Sequence, residues 1–257
     1  MKKSSLLFTL ALGFGTAATA SAATQNYGTF VGTDVTYHDV TEGSDTDPLA
    51  LFDAPTVLGN SLNFSPNSFE SSTDGASTLS DITDSQLAFT LTVNDPTQSL
   101  STFELTEAGD YTLIGAPGSF AYAAVAAPIY YQITEVGGVA VDGPSGQDSL
   151  VFTPSGGEFL LPAAGGVVNG IFTGSIQIDL LGLLTGTEFE GQAVTAAYIT
   201  LNNTLATTSQ GASSFIKKKD ADGVVIEVTT IDEGDIPEPA SAALLGLGLA
   251  AVLRRKA

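Results

Sequence analysis

Gln86-Leu87-Ala88-Phe89-Thr90-Leu91-Thr92-Val93 is the plainest stretch of secondary structure in the chain. Leu87, Phe89, Leu91 and Val93 share one parity, and Ala88, Thr90 and Thr92 share the other. Successive side chains of a strand point to opposite faces of a sheet. This spacing therefore predicts a strand with one apolar face turned to a core. Asn94-Asp95-Pro96 follows and ends it, because proline offers no N–H to a ladder and Asn and Asp favour turns.

On the N-terminal side, Ser71 to Ser77 reads as a polar turn. Leu49 to Phe69 holds short apolar clusters broken by Pro55, Gly59 and Pro66, as expected of short strands and a sheet edge. Tyr27 to Val40 alternates as one strand, with Tyr27, Val31, Val35 and Tyr37 on one face and Asp34, Thr36 and His38 on the other.

On the C-terminal side, Phe103 to Thr106 and Tyr111 to Ile114 flank Glu107-Ala108-Gly109-Asp110, which predicts a hairpin. Phe120 to Val136 is apolar and carries Tyr122, Tyr130 and Tyr131. The last two are neighbours, so they face opposite sides and do not share one platform. Glycine is dense from Gly137 to Gly170, where either a domain boundary or a chain of hairpins fits. The hairpins are preferred, since Leu150 to Phe152 and Phe159 to Leu161 still have strand character. Ile171 to Leu180 alternates, with Phe172, Ile176, Ile178 and Leu180 on one face, and Val194 to Leu201 is a further strand. Phe215 to Lys219 and Val224 to Thr230 flank Asp220-Ala221-Asp222-Gly223, predicting a terminal hairpin. Lys217-Lys218-Lys219 would then charge an exposed edge against pairing with other chains.

More than ten short strands separated by turn residues predict an all-β fold, a jelly-roll-like β-sandwich. It is expected to be flanked by an N-terminal signal helix and a short C-terminal hydrophobic helix. The N-terminus carries Lys2 and Lys3, an apolar run from Leu6 to about Gly15, and small residues up to Ala20-Ser21-Ala22. That is the layout of a secretory signal peptide over residues 1–22, cut between Ala22 and Ala23. At the other end Ile236-Pro237-Glu238-Pro239 precedes an apolar run from Ala240 to Leu253, and Arg254-Arg255-Lys256-Ala257 closes the chain. A helix over that run spans roughly 21 Å at ~1.5 Å per residue, short of the roughly 30 Å hydrocarbon core. It reads as a marginal membrane segment with a cationic stop. Positive residues flanking a membrane segment stay cytoplasmic, so both ends point inward and the middle, residues 23–235, faces out.

That middle holds 27 of the 28 acidic residues against three lysines, a formal charge of 3 − 27 = −24. Such a surface repels nucleic acid and anionic membrane. Without cysteine there are no disulfides or thiolate metal sites. With His38 as the single histidine, multi-histidine zinc sites are excluded. A Ser-His-Asp triad would need His38, whose neighbour Asp39 points away from it on a strand. Carboxylate pairs are too numerous to single one out, and the chain lacks tryptophan, so no enzyme is expected and no cofactor. Asp45 and Asp47, in an acidic loop, can offer oxygens to Ca²⁺, although a solvated turn is the preferred reading.

Pro237-Glu238-Pro239, the short hydrophobic run and the basic end together resemble the PEP-CTERM sorting signal of Gram-negative bacteria. The resemblance covers residues 236–257. It implies recognition by an exosortase, a membrane transpeptidase-like protease that cuts near Pro237-Glu238-Pro239, after export by the secretion machinery. It further implies a surface or secreted location, transient anchoring in the membrane, and an association with exopolysaccharide and biofilm. A non-enzymatic structural or adhesive surface protein is the function expected. The alternative is a lectin-like carbohydrate-binding module, with Tyr122, Tyr130 and Tyr198 as candidate aromatics.

Overall fold

The strand at Gln86–Val93 is present, and Leu87, Phe89 and Leu91 are buried on its inner face while Val93 is half-buried. A computed structural model describes residues 23–219 and 222–236. The expected signal helix (residues 1–22) and hydrophobic tail (237–257) lie outside the described residues. Fifteen strands are described: β1 (Ala23–Val31), β2 (Val35–Ser44), β3 (Thr56–Leu58), β4 (Ser61–Phe64) and β5 (Glu70–Thr73) come first. Then follow β6 (Ser80–Val93), β7 (Gln98–Ala126), β8 (Pro128–Val136), β9 (Val139–Ala140) and β10 (Ser145–Ser149). The last are β11 (Val151–Thr153), β12 (Glu158–Leu160), β13 (Gly166–Asp179), β14 (Val194–Lys218) and β15 (Val224–Asp232). The fold is all-β, and its strands join in one antiparallel sheet along the path β1-β2-β6-β14-β7-β15-β4-β3.

Two long strands carry the architecture. One edge of β7 pairs with β14 and then β15, and its other edge pairs with β12 and then β13. One edge of β14 pairs with β7 and then β8, and its other edge with β5 and then β6. The sheet folds over so that Phe89 of β6 stacks on Phe103 of β7 at 6.4 Å, with Tyr37 of β2 edge-on to Phe89. The two ends of the path meet at Asn60. Its side chain accepts from the Asp34 N–H and donates to the Asp34 carboxylate, both at 2.8 Å. Its carbonyl accepts from the Tyr37 hydroxyl. The result is a nearly closed, jelly-roll-like sandwich around one apolar cluster.

The sheet creases along a single line. Gln210 pairs with Phe120 and Ala212 with Gly115, so Ala116 to Ser119 loop out opposite Gly211 alone. The β5–β6 connection touches the same line, where the Gly211 N–H donates to the Gly75 carbonyl. The β12–β13 connection meets it too, where the Gly118 N–H donates to the Ala163 carbonyl.

Several expectations are corrected. Glu107-Ala108-Gly109-Asp110 is no turn but the middle of β7, held straight by partners on both edges. Gly109 stands there because the Phe172 ring and the Lys217 carbonyl occupy the space a Cβ would need. The terminal hairpin is absent: β14 and β15 run end to end along β7, with Lys218 opposite Gly109 and Val224 opposite Glu107. Between the two strands, Ala108 bonds through its backbone to both Lys219 and Gly223. Lys218 therefore guards no edge and is fully buried. The segment from Ser71 opens in β5 rather than a turn, because its hydroxyls face inward: Ser71 meets Thr207 at 2.9 Å and Thr73 meets Ser209 at 2.7 Å. Tyr27 to Val40 is two strands, reversed where the Gly32 N–H donates to the Val35 carbonyl.

Candidate functional site

The outer face of β14 presents Tyr198, Thr200 and Asn202, since Ala197, Ile199 and Leu201 turn inward. Beside it β8 presents Tyr130 and Gln132, because Ile129, Tyr131 and Ile133 are the buried positions. Register places Tyr130 opposite Thr200 and Tyr198 opposite Gln132. Tyr130 and Tyr198 are thus diagonal neighbours on one face, roughly 7–8 Å apart along the sheet. They are 38% and 36% exposed. Across β8, Gln147 of β10 stands opposite Tyr130; across β14, Gln86 of β6 stands opposite Asn202.

Carboxamides surround the two rings. Gln132 donates to the Asp142 carboxylate at 2.8 Å, which fixes its side chain beside Tyr130. Tyr130, Gln147, Thr200 and Asn202 line a shallow hollow of about 200 Å³. The Oδ1 of Asn202 is buried and has no hydrogen-bond partner. Rings with free faces, flanked by amides and hydroxyls, suit a neutral polyhydroxyl ligand: C–H faces pack on the rings and hydroxyls bond the amides.

The other candidates fall elsewhere. Tyr122 lies on the same outer row but opposite Thr208, eight positions along β14 from Thr200, roughly 26 Å away at ~3.3 Å per residue. Its hydroxyl donates to Glu158 at 3.1 Å, and burial followed by that carboxylate raises its pKa. Tyr131 is buried and donates to Asp148 at 2.8 Å. Adjacent tyrosines do face opposite ways, as alternation requires. His38 is part-buried on β2, its Nε2 2.9 Å from the Thr92 hydroxyl. Asp47 accepts from the Thr46 hydroxyl, and its N–H donates to Ser44, which builds a turn. Among the described residues no three His, Asp or Glu side chains gather as metal ligands.

Ala23 opens β1, whereas Ala22 lies outside the described residues, as do Pro237, Glu238, Pro239, Arg254, Arg255 and Lys256. Among the described residues no helix is long and apolar enough to cross a membrane. The described chain ends at Ile236, which follows a single turn over Glu233–Asp235.

The family model described as the PEP-CTERM protein-sorting motif matches residues 235–256. The chain carries a PEP-CTERM protein-sorting motif at its C-terminal end. Such a motif marks an exported, extracytoplasmic protein and is the recognition signal for an exosortase. No curated protein matches the PEP-CTERM chain. Among solved structures it is similar to the Clostridium thermocellum xylanase 10B CBM22-1–GH10 modules complexed with xylohexaose. That match has 10% identity and a TM-score of 0.17, and covers 70% of this chain but only 27% of that one. It is also similar to TmCBM61 in complex with β-1,4-galactotriose, at 10% identity and TM-score 0.16, over 61% of this chain and 86% of that one. A third is the Arthrobacter globiformis T6 isomalto-dextranase complexed with panose, at 12% identity and TM-score 0.15, over 80% and 32%. At such scores these likenesses carry nothing for the PEP-CTERM protein, and its candidate site rests on its own geometry.

The amides of Gln132, Gln147 and Asn202 escape sequence reading, since isolated Gln and Asn residues are common on any strand. Even parity in Tyr198-x-Thr200-x-Asn202 was the available signal, and it acquires meaning only once β8 is placed alongside.

Proposed function

We propose that this PEP-CTERM protein is a non-enzymatic structural or adhesive component of the cell surface or exopolysaccharide matrix of a Gram-negative bacterium. It is exported, held for a time in the membrane by residues 236–257, and released or transferred when an exosortase cuts near Pro237-Glu238-Pro239. The sorting motif at residues 235–256 carries this reading. The double pairing of β7 and β14 supports it, because a sheet whose longest strands have no free edges resists pairing with other chains and proteolysis. A non-enzymatic role is supported by the single histidine and the absence of cysteine. Mass spectrometry of the C-terminus tests the proposal: the protein should end near Pro237 in cells holding the exosortase and at Ala257 in cells deleted for it. An intact Arg254-Arg255-Lys256-Ala257 end in both strains would overturn it.

A second reading has its own support. The Tyr130–Tyr198 face, with Gln147, Thr200 and Asn202 lining the hollow beside Tyr130, suits a glycan. Binding of the purified protein to a glycan array, compared with the Tyr130→Ala, Tyr198→Ala double variant, tests it. Equal signals from both proteins would remove the reading and leave the first intact.

A further inference from the structure

Deep beneath the junction of β14 and β15, the Lys218 Nζ donates to the Glu107 Oε2 at 2.5 Å, and neither side chain has any exposed surface. Among the described residues no other group hydrogen-bonds to the pair. The Oε1 of Glu107 has no hydrogen-bond partner, and no second acceptor takes the remaining Nζ protons among the described residues. The ring of Phe69 lies 5.3 Å from Nζ and shields it from water. A buried ion pair holds its charges only when further hydrogen bonds satisfy the spare protons and lone pairs. Here they are missing, so the two charges stand in an apolar site without that support. Burial, the larger influence, pulls the Lys218 pKa below its ordinary value against the opposing pull of Glu107.

We propose that Glu107 and Lys218 are joined in the folded protein by an isopeptide bond. The ammonium first passes a proton to Oε2 along the existing hydrogen bond. The Nζ lone pair then attacks Cδ, and one Nζ proton moves to the departing hydroxyl. The C–O bond breaks as the N–C bond forms, and one water leaves. No electrons are transferred and no co-reactant is consumed. Reacting groups fixed in contact behave as if at effective concentrations of about 10⁵–10⁸ M. The surrounding apolar wall removes the water that would reverse the step. The product carries one N–H and one C=O in place of two charges, the least polar state the pair can reach.

The bond would tie the middle of β7 to the end of β14. It would act as a disulfide does, in an exported chain without cysteine. It does not depend on the glycan-binding reading.

Intact mass spectrometry of the full-length protein, with both ends mapped by peptide sequencing, tests it. Wild type should be lighter by one water than the calculated mass of the linear chain between its mapped ends, and proteolysis should yield a branched peptide joining the segments around Glu107 and Lys218. Lys218→Met and Glu107→Ala should have their full calculated masses. A wild-type mass equal to the calculated mass of the linear chain overturns the proposal, as does a missing water that maps to an Asp-Gly step. Because wild type alone decides, poor folding of either variant leaves the test standing.

Discussion

The Glu42 carboxylate takes the place of a backbone partner for Phe52. Its Oε1 and Oε2 both accept from the Phe52 N–H at 3.2 Å, and Oε1 also accepts from Leu51 at 2.5 Å. Ser85 and Tyr27 donate their hydroxyls to the same group. This side chain pins the segment that buries Phe52 edge-on against Phe64 and Phe69. Glu42→Ala would leave several buried donors unpaired, each costing roughly 1–3 kcal/mol. We expect a loss of about 3 kcal/mol or more in urea unfolding, and a smaller loss for Glu42→Gln, which keeps one acceptor.

The crease makes two glycines unequal. Gly75 has φ +70°, and a Cβ there would lie 2.1 Å from the Ala212 carbonyl oxygen, a backbone atom that cannot step aside. Gly118, on the opposite side of the line, has φ +82° but nothing within 4 Å. Ala in a left-handed conformation costs roughly 1–2 kcal/mol by itself, and a forced overlap adds about 1–3 kcal/mol. Gly75→Ala should therefore destabilise by about 2–5 kcal/mol and Gly118→Ala by about 1–2 kcal/mol. Equal thermal shifts for the two variants would contradict the crease.

Strands with apolar alternation were legible one by one. The short runs at Leu150 and Phe159 stand where expected to within a residue, and Gln86–Val93 and Ile171–Leu180 form the C-terminal parts of β6 and β13, which begin six and five residues earlier. Their lengths were not, because β6 and β14 continue with Ser and Thr facing inward, at Thr83, Ser85, Thr207 and Ser209. Polar inner positions whose hydroxyls bond to β5 and to Glu42 give no apolar period to read. Gly109 and Asp222-Gly223 misled for a second reason. Close approach of Phe172, and the passage from β14 to β15 along the same partner strand, call for the same residues as a hairpin turn. Only the pairing of β7 on both edges separates these cases, and that is a property of the whole sheet. The candidate face was legible as single tyrosines and not as a group, since Tyr130 and Tyr198 meet through the β8–β14 register.

Two phenols should make the fold sensitive to alkali. Burial, assisted by the hydrogen bond to Glu42, raises the Tyr27 pKa well above its ordinary value. Burial, assisted by the charge of Glu227, does the same for Tyr37. An unfolded chain releases these protons from about pH 10 upward, while the native state keeps them. The native state then binds more protons than the unfolded one, so stability falls as pH rises above about 10. Stability measured by denaturant titration across that range should decline, and the decline should be shallower in Tyr37→Phe. A slope unchanged by that substitution would show that Tyr37 ionises freely in the folded protein.

Tyr198 offers the sharpest separation between a glycan-binding face and a merely solvated one. Its ring is bounded by Gln132 and Thr90 across the neighbouring strands, and it is not part of the buried cluster. Removing an exposed ring from a sheet surface changes stability by about 0.5 kcal/mol or less. Removing one of two ring platforms from a binding face should cost about 1.4 kcal/mol, or tenfold in affinity. Tyr198→Ala should thus keep its unfolding midpoint and lose about tenfold in affinity for any oligosaccharide the wild type retains. Tyr122→Ala, on the same sheet surface but roughly 26 Å from Tyr130 and roughly 33 Å from Tyr198 along the strands, should leave affinity unchanged. If Tyr122→Ala weakens binding as much as Tyr198→Ala does, the ligand is held by the general surface rather than by the Tyr130–Tyr198 pair.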